Sequence, residues 1–315
     1  MATAALNAVS APPTTFFYGG QAVIEGVLMR GRQHFAVAAR RPDGSIAICQ
    51  DVLRSRVYTN SVWRRPLFRG VAGLYETLHL GLRALEWSAK VQIGEEAEFG
   101  PKAMSAVIAV SVVFGLGLLI GAPLGLAQLV QHGATRSITS VLIEGLIRGV
   151  ILIAYLGLIG RLRNIKRVFQ YHGAEHKAIN CYESQAPVDV EHVRSASRLH
   201  PRCGTGFVLV IAFVSIVVFV PLGLLPVAVR IGLQILLVPL VAAVAYEVIR
   251  ALAKIRYTTV GRVLLAPVLA TQLLSTREPD DSQIEVAIRA LDAARSEGDQ
   301  TAPVLVGEAL PLGPS

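Results

Sequence analysis

The sequence predicts a mainly α membrane protein with four transmembrane helices, a small N-terminal α+β cytoplasmic domain and a helical cytoplasmic loop. Three observations predict it. Hydrophobic residues make up 53% of the 315, and the mean hydropathy of +0.52 is too high for an ordinary soluble domain. The excess is concentrated after residue 102 in four runs near 20 residues long, the length a helix needs to cross a hydrocarbon core of about 30 Å. Basic residues gather on alternate connections between these runs, as orientation in a membrane requires.

Taken in order, residues 1–15 hold no basic residue and no continuous apolar core, so they read as a disordered start and not as a signal peptide. Residues 16–102 form a cytoplasmic β-hairpin plus amphipathic-helix region. The runs QAVIEGVLMRG, HFAVAAR and SIAICQDVL are rich in β-formers, and Asp43-Gly44 between the last two is a hairpin turn signal. Leu67, Val71, Leu74, Leu78, Leu82 and Leu85 then recur at three- and four-residue steps, the pattern of an amphipathic helix lying on the membrane or on the spans.

The first two spans fall at 103–130, with a kink expected at Pro123, and at 139–160. A cytoplasmic loop, 161–205, is too long to be a simple connection. The third and fourth spans fall at 206–226 and 232–249. Residues 251–296 read as an interfacial or re-entrant helix, a polar turn and an amphipathic helix. The Pro- and Gly-rich 297–315 read as a disordered tail.

RLRNIKR, after the second span, carries four basic residues in seven. Arg250, Lys254, Arg256 and Arg262 follow the fourth. The other two connections offer Arg136 and Arg230. Both termini and the 161–205 loop are therefore cytoplasmic, with the two short turns outside. A net charge of +8 then finds its partner in anionic lipid; no nucleic-acid motif accompanies it. Arginine outnumbers lysine 25 to 5 and alanine is abundant, which points to a GC-rich bacterial genome and hence the bacterial plasma membrane. Cys49, Cys181 and Cys203 all fall on the cytoplasmic side, where thiols stay reduced.

The stretch FQYHGAEHKAIN places His172 and His176 on one helical face with Glu175 beside the second. This H-x-x-E-H order, the inverted-zincin arrangement, uses two neutral imidazoles as metal ligands and the glutamate as general base. A solvated face of a basic loop helix is the alternative. Two ligands do not hold a divalent ion, so further ones are needed. The candidates are His200 and Cys203 of LHPRCGTG, where Arg202 would favour a thiolate, and Glu247 of AYEVIR, an ionisable residue near a span end. Cys203 could instead be a packing residue, and Glu247 could reach the interface beside Arg250. Glu144 and Arg148, four apart in the second span, read as neutralising one another. Glu25 reads either as a buried ligand or as a strand-edge carboxylate.

Together YGGQAVIEGVLMRG, YHGAEHKAINCYE, LHPRCGTGF, AYEVIR and TREPDDSQIEVAI resemble the YqhQ-like bacterial membrane proteins over roughly residues 16–295. That family is a domain of unknown function described as predicted metal-dependent enzymes. The resemblance implies the same for this chain, which carries Gly206 where the family has a small hydroxyl residue after HPRCGT. The inverted-zincin likeness is confined to the five-residue motif and does not imply a protease.

The function expected is a metal-dependent hydrolase of unknown substrate with its site at the cytoplasmic membrane face. Glu175 is its base, and a divalent metal, zinc above iron or manganese, is its cofactor. The alternative is a membrane binding or assembly protein with a structural metal. A transporter is disfavoured, because paired broken helices are missing from the pattern. The partners expected are the lipid bilayer and an unknown substrate or protein, and not nucleic acid.

Overall fold

The computed structural model describes residues 18–31, 34–53, 61–63, 65–94, 101–130, 137–201, 203–255 and 258–295. The disordered start and tail read from the sequence, and Arg136, Arg202 and Arg256, lie outside them. The chain is mainly helical, with one small antiparallel sheet near its N-terminus.

Four strands, β1 (Gly19–Val23), β2 (Gly26–Arg30), β3 (His34–Arg40) and β4 (Ile46–Val52), pair in the order β1-β2-β3-β4. The β3–β4 turn falls at Asp43-Gly44 as the sequence predicts, with Gly44 at φ +90° and the Asp43 carboxylate accepting from the Ser45 amide at 2.8 Å. QAVIEGVLMRG is not one run but two strands. The chain reverses at Ile24 and Glu25, and Glu25 takes φ +51°. Gly26 permits the reversal, because a Cβ there would sit 2.2 Å from the Ala38 carbonyl.

Both faces of the sheet are apolar, so both must be covered. Val27, Met29, Ala36 and Ala38 pack on Tyr171, Ala174 and Ala178 of α5 (Arg163–Glu183) and on Ile284, Ala287 and Leu291 of α11 (Asp281–Arg295). Val23, Leu28, Phe35 and Val37 face Ala84, Leu85 and Trp87 of α1 (Phe68–Ile93). Three stretches far apart in sequence thus share one body, because each has an apolar stripe that only the others cover.

Among the described residues three helical segments are long and apolar enough to cross a membrane, and a fourth is if a bent pair counts as one. The first joins α2 (Pro101–Leu116), a π-helical turn at Gly117–Gly121 and α3 (Ala122–Val130). Pro123 lacks the N–H that would bond the Leu119 carbonyl. Nε of Arg148, on α4 (Ile138–Ile159), donates to that carbonyl at 2.5 Å instead. The third segment is α7 (Gly204–Phe219) with a 3₁₀ turn at Val220–Leu224. The bent pair is α8 (Val227–Leu236) and α9 (Val238–Ile255), at 52° to each other.

These helices pack around Val141, Val214, Phe219, Val241 and Ala245. Inside the bundle the Glu144 carboxylate accepts from Arg148 at 2.8 Å and from Gln234 at 2.9 Å, with Arg230 at 3.4 Å. Arg148 also donates to Ser215 Oγ at 2.7 Å. Arg230, read from the sequence as lying in the turn between the last two apolar runs, is instead part of α8 and fully buried. It sits one helical turn from Gln234 and faces the same carboxylate.

The chain breaks at residues 160–162, between α4 and α5, so α5 does not prolong the apolar helix. A short α6 (Val190–Ser195) precedes the segment that leads into α7. Helix α10 (Thr259–Ser275) begins where α9 ends and finishes beside the start of α7, so it crosses one end of the bundle.

Candidate metal centre

The H-x-x-E-H motif occupies the middle of α5, where every residue from Tyr171 to Ile179 is buried. Gly173 lets it be covered: a Cβ there would meet the Arg277 carbonyl at 2.1 Å, and that segment crosses the helix directly above it. The other polar residues of the motif hold the chain ahead of α7. Lys177 Nζ donates to the carbonyls of Arg194 and Ala196, each at 2.9 Å. Asn180 Nδ2 donates to those of Ser197 at 2.7 Å and Leu199 at 2.9 Å. A line of backbone acceptors is thereby laid along α5 and delivers His200 and Cys203 to the histidines.

Among the described residues His172, His176 and Cys203 form a group whose ligand atoms all lie within 4.8 Å of one another, and the group could hold a metal ion. Nδ1 of His172 lies 2.8 Å from the Ser275 carbonyl, and Nδ1 of His176 lies 2.6 Å from that of Arg198. A carbonyl only accepts, so each Nδ1 carries the hydrogen. Each Nε2 is left to face the thiol. This orientation by an outer acceptor is what metal-binding histidines generally have.

Nε2 of His172 lies 3.2 Å from Cys203 Sγ. Burial works against a charged imidazole there, but the Cys203 sulfur outweighs it and raises the pKa of His172 to about 9. Burial likewise opposes a Cys203 thiolate, and the charges of His176 and His172 overcome it, holding that pKa well below the usual thiol value. Cys203 also caps α7, its sulfur accepting from the Thr205 amide at 3.4 Å, where the helix N-terminus favours negative charge. Imidazole and sulfur thus face one another across the position that a divalent ion takes over when it displaces protons from such ligands.

Glu175 stands outside this group. The Gly20 amide of β1 donates to its carboxylate, and a Cβ at Gly20 would lie 2.9 Å from the Glu175 side chain. Burial raises the Glu175 pKa, partly offset by His176 and His172. Its Oε2 is buried with no hydrogen-bond partner among the described residues.

His200 is buried next to His176, ring centroids 5.6 Å apart, but its Nε2 lies 3.8 Å from Glu183 and it is not one of the three. Side chain and backbone of Gln272 and His200 exchange two hydrogen bonds, at 2.9 and 2.7 Å, which fix the loop. Glu247 is not brought to the cluster. It forms a two-pronged ion pair with Arg69 of α1 and accepts from the Leu67 amide at 3.4 Å. Glu25 is the strand-edge carboxylate of its two readings, paired with Arg167 and accepting from the Tyr171 hydroxyl at 3.2 Å.

Sequence reasoning missed Ser275, Arg198 and Thr205. The first two act through carbonyls, which leave no mark in a sequence. Gln272 did leave one, as an amide inside the apolar run APVLATQLLS.

A protein of Bacillus subtilis (strain 168), described as uncharacterized protein YqhQ, is 35% identical over 289 residues, covering 87% of this chain and 91% of its own. No solved structure matches. The family described as proteins of unknown function (DUF1385) matches residues 65–297, which takes in α5, the Cys203 loop and α11 together, and the chain belongs to that family.

Proposed function

We propose that this is a multi-pass protein of the bacterial plasma membrane with a divalent-metal centre at its cytoplasmic face, and that the centre serves a hydrolase. The observation that carries the reading is the convergence of two imidazoles, each locked by a backbone carbonyl on Nδ1, upon one thiol. Two imidazoles and a thiolate suit zinc above other ions, and three protein ligands are the number a catalytic zinc keeps. A zinc ion supplies Lewis acidity and lowers the pKa of its water to about 7. The chain supplies the rest. Glu175, held by the Gly20 amide with one oxygen unpartnered, is the base, and the cover over α5 excludes bulk water. The basic residues that flank α5 support a cytoplasmic location for this body and for both termini.

Elemental analysis of purified protein tests the metal. His172→Ala, His176→Ala and Cys203→Ser should each strip most of it, while Glu175→Gln should keep it. Unchanged metal content in a folded His172→Ala/His176→Ala protein overturns the assignment. Reporter fusions after Pro226 should read outside and those after Ser275 inside.

One observation favours a second reading, a structural metal. His200 lies beside His176, and as a fourth ligand it would close the site. His200→Ala that loses the metal would support the structural reading; His200→Ala that keeps it supports the open, hydrolytic one.

A further inference from the structure

Helix α1 changes character along its length. In its second half Ala84, Leu85 and Trp87 pack under the sheet. Its first four turns do not. Phe68, Val71, Tyr75, Leu78 and Leu82 lie at three- and four-residue steps along one face and are all exposed, Tyr75 to 69%. Trp63, just ahead of the helix, packs edge-on to Phe68, ring centroids 6.4 Å apart, and extends the same stripe. Such a contiguous apolar face on a soluble surface marks something that covers it.

The opposite side of the same turns shows what covers the stripe. At Gly70 a Cβ would lie 3.1 Å from both Ala243 Cα and Tyr246 Cβ, so α1 rests directly on α9. Arg69 closes the contact by pairing with Glu247. Helix α1 is thereby held against one of the helices read above as spans, with its apolar stripe on the side turned away from that contact. The stripe is flanked by Arg65 and Arg69, and it ends at Leu82 where the sheet begins. Aromatic residues at one end, arginines alongside and an apolar face one helix wide are the composition of a helix lying in a bilayer interface.

We infer that the first four turns of α1 lie in the cytoplasmic interfacial layer of the membrane, with Trp63, Tyr75 and Leu78 among the acyl chains and Arg65 at anionic headgroups. This rests on the membrane reading above and adds a contact that none of the spans makes. The same helix carries β1 through the Ser88 hydroxyl, which accepts from the Ile24 amide at 3.2 Å, and β1 carries the Gly20 amide that holds Glu175. Lipid contact by α1 thus sets the height of the metal centre above the bilayer.

The chain has two tryptophans, one at the stripe and one, Trp87, under the sheet. Full-length protein in vesicles of phosphatidylcholine and phosphatidylglycerol with brominated acyl chains separates them. Trp87→Phe, leaving Trp63, should lose most of its fluorescence to bromine, while Trp63→Phe, leaving Trp87, should keep most of its own. Phe213→Trp in a background lacking both reports on α7, where Phe213 faces outward. Should Trp87→Phe fail to fold, Leu78→Cys carrying an environment-sensitive dye replaces it. The native cysteines are all buried and leave the new thiol selectively reactive.

Phe213→Trp quenched with Trp63 and the Leu78 dye unquenched overturns the inference and leaves the spans standing. Phe213→Trp unquenched overturns both. Stripe reporters shielded from bromine and from aqueous iodide alike assign the face to a second copy of the chain or another protein, and overturn it too.

Discussion

Two clusters of buried polar side chains in this molecule are built on opposite principles. In the helical bundle Glu144, Arg148, Arg230 and Gln234 are donors and acceptors that meet one another, and Arg148 goes on to Ser215 and the Leu119 carbonyl. At the end of the bundle His172, His176 and Cys203 are three ligands whose other partners hold them from behind and whose lone pairs point at one place. Charges that complement one another fix helices together. Ligands that converge need a third party, a proton or an ion. The first cluster therefore reads as architecture and the second as a site.

The largest effect should come from breaking the first. Glu144→Ala leaves two guanidiniums that cannot deprotonate inside an apolar bundle, a loss of about 3–5 kcal/mol for a broken buried pair. That is a large part of a domain's typical ~5–15 kcal/mol, so thermal unfolding in detergent should show a collapsed midpoint or no folded protein. Glu144→Gln, which keeps the shape and one acceptor, should be milder. A Glu144→Ala protein as stable as the parent would show that the bundle does not depend on this carboxylate.

The second cluster should respond to its ion. A ligand present at about 100 times its Kd stabilises the folded state by ~2.7 kcal/mol. Chelation should lower the unfolding midpoint by that order, and zinc should restore it. His172→Ala/His176→Ala should behave like the chelated parent with or without added zinc. If that variant still gains stability from zinc, the ion binds elsewhere.

Smaller again is the effect expected at Gly20. A methyl group there meets the Leu28 carbonyl at 2.5 Å and the Glu175 side chain at 2.9 Å, and overpacking of this kind costs about 1–3 kcal/mol. Gly20→Ala should keep its metal, since none of the three ligands is touched. It should share the loss of hydrolysis expected of Glu175→Gln, because the carboxylate is pushed from its amide. Metal lost with Gly20→Ala would mean that Glu175 helps to hold the ion.

The sequence made these two clusters unequally legible. The apolar helices were readable because length and lack of charge are local properties, and so was α5, whose two histidines share a face by spacing alone. The Asp43-Gly44 turn was readable for the same reason. Arg230 was not, because its burial depends on Glu144, 86 positions earlier in the chain. The joining of the sheet to α5 and α11 was not readable either, since an apolar stripe does not say which other stripe will cover it. Cys203 was legible as a candidate, but the carbonyls of Ser275 and Arg198 that orient the imidazoles were not. The anionic character of Cys203 is favoured by His176 and His172, while Arg202, from which it was expected, lies outside the described residues.

Glu247 is where the two principles meet, and it should give the smallest effect. From the sequence it is an ionisable residue near the end of an apolar helix, and hence a candidate ligand. In the structure its oxygens face the Arg69 guanidinium, with Nε at 2.7 Å, so it belongs with the charges that complement one another. Unlike Glu144 it is not sealed off. The Arg69 and Glu247 side chains are 21% and 24% exposed, and a pair reached by solvent contributes at most about 1 kcal/mol. Glu247→Gln should therefore lower the unfolding midpoint only slightly and leave the zinc content unchanged. Arg69→Gln should give the same small shift. The double variant should lose no more than either alone if the pair acts as a unit, which is the sign of coupling between neighbours. Zinc lost from Glu247→Gln alone, with Arg69→Gln retaining it, would return Glu247 to the metal.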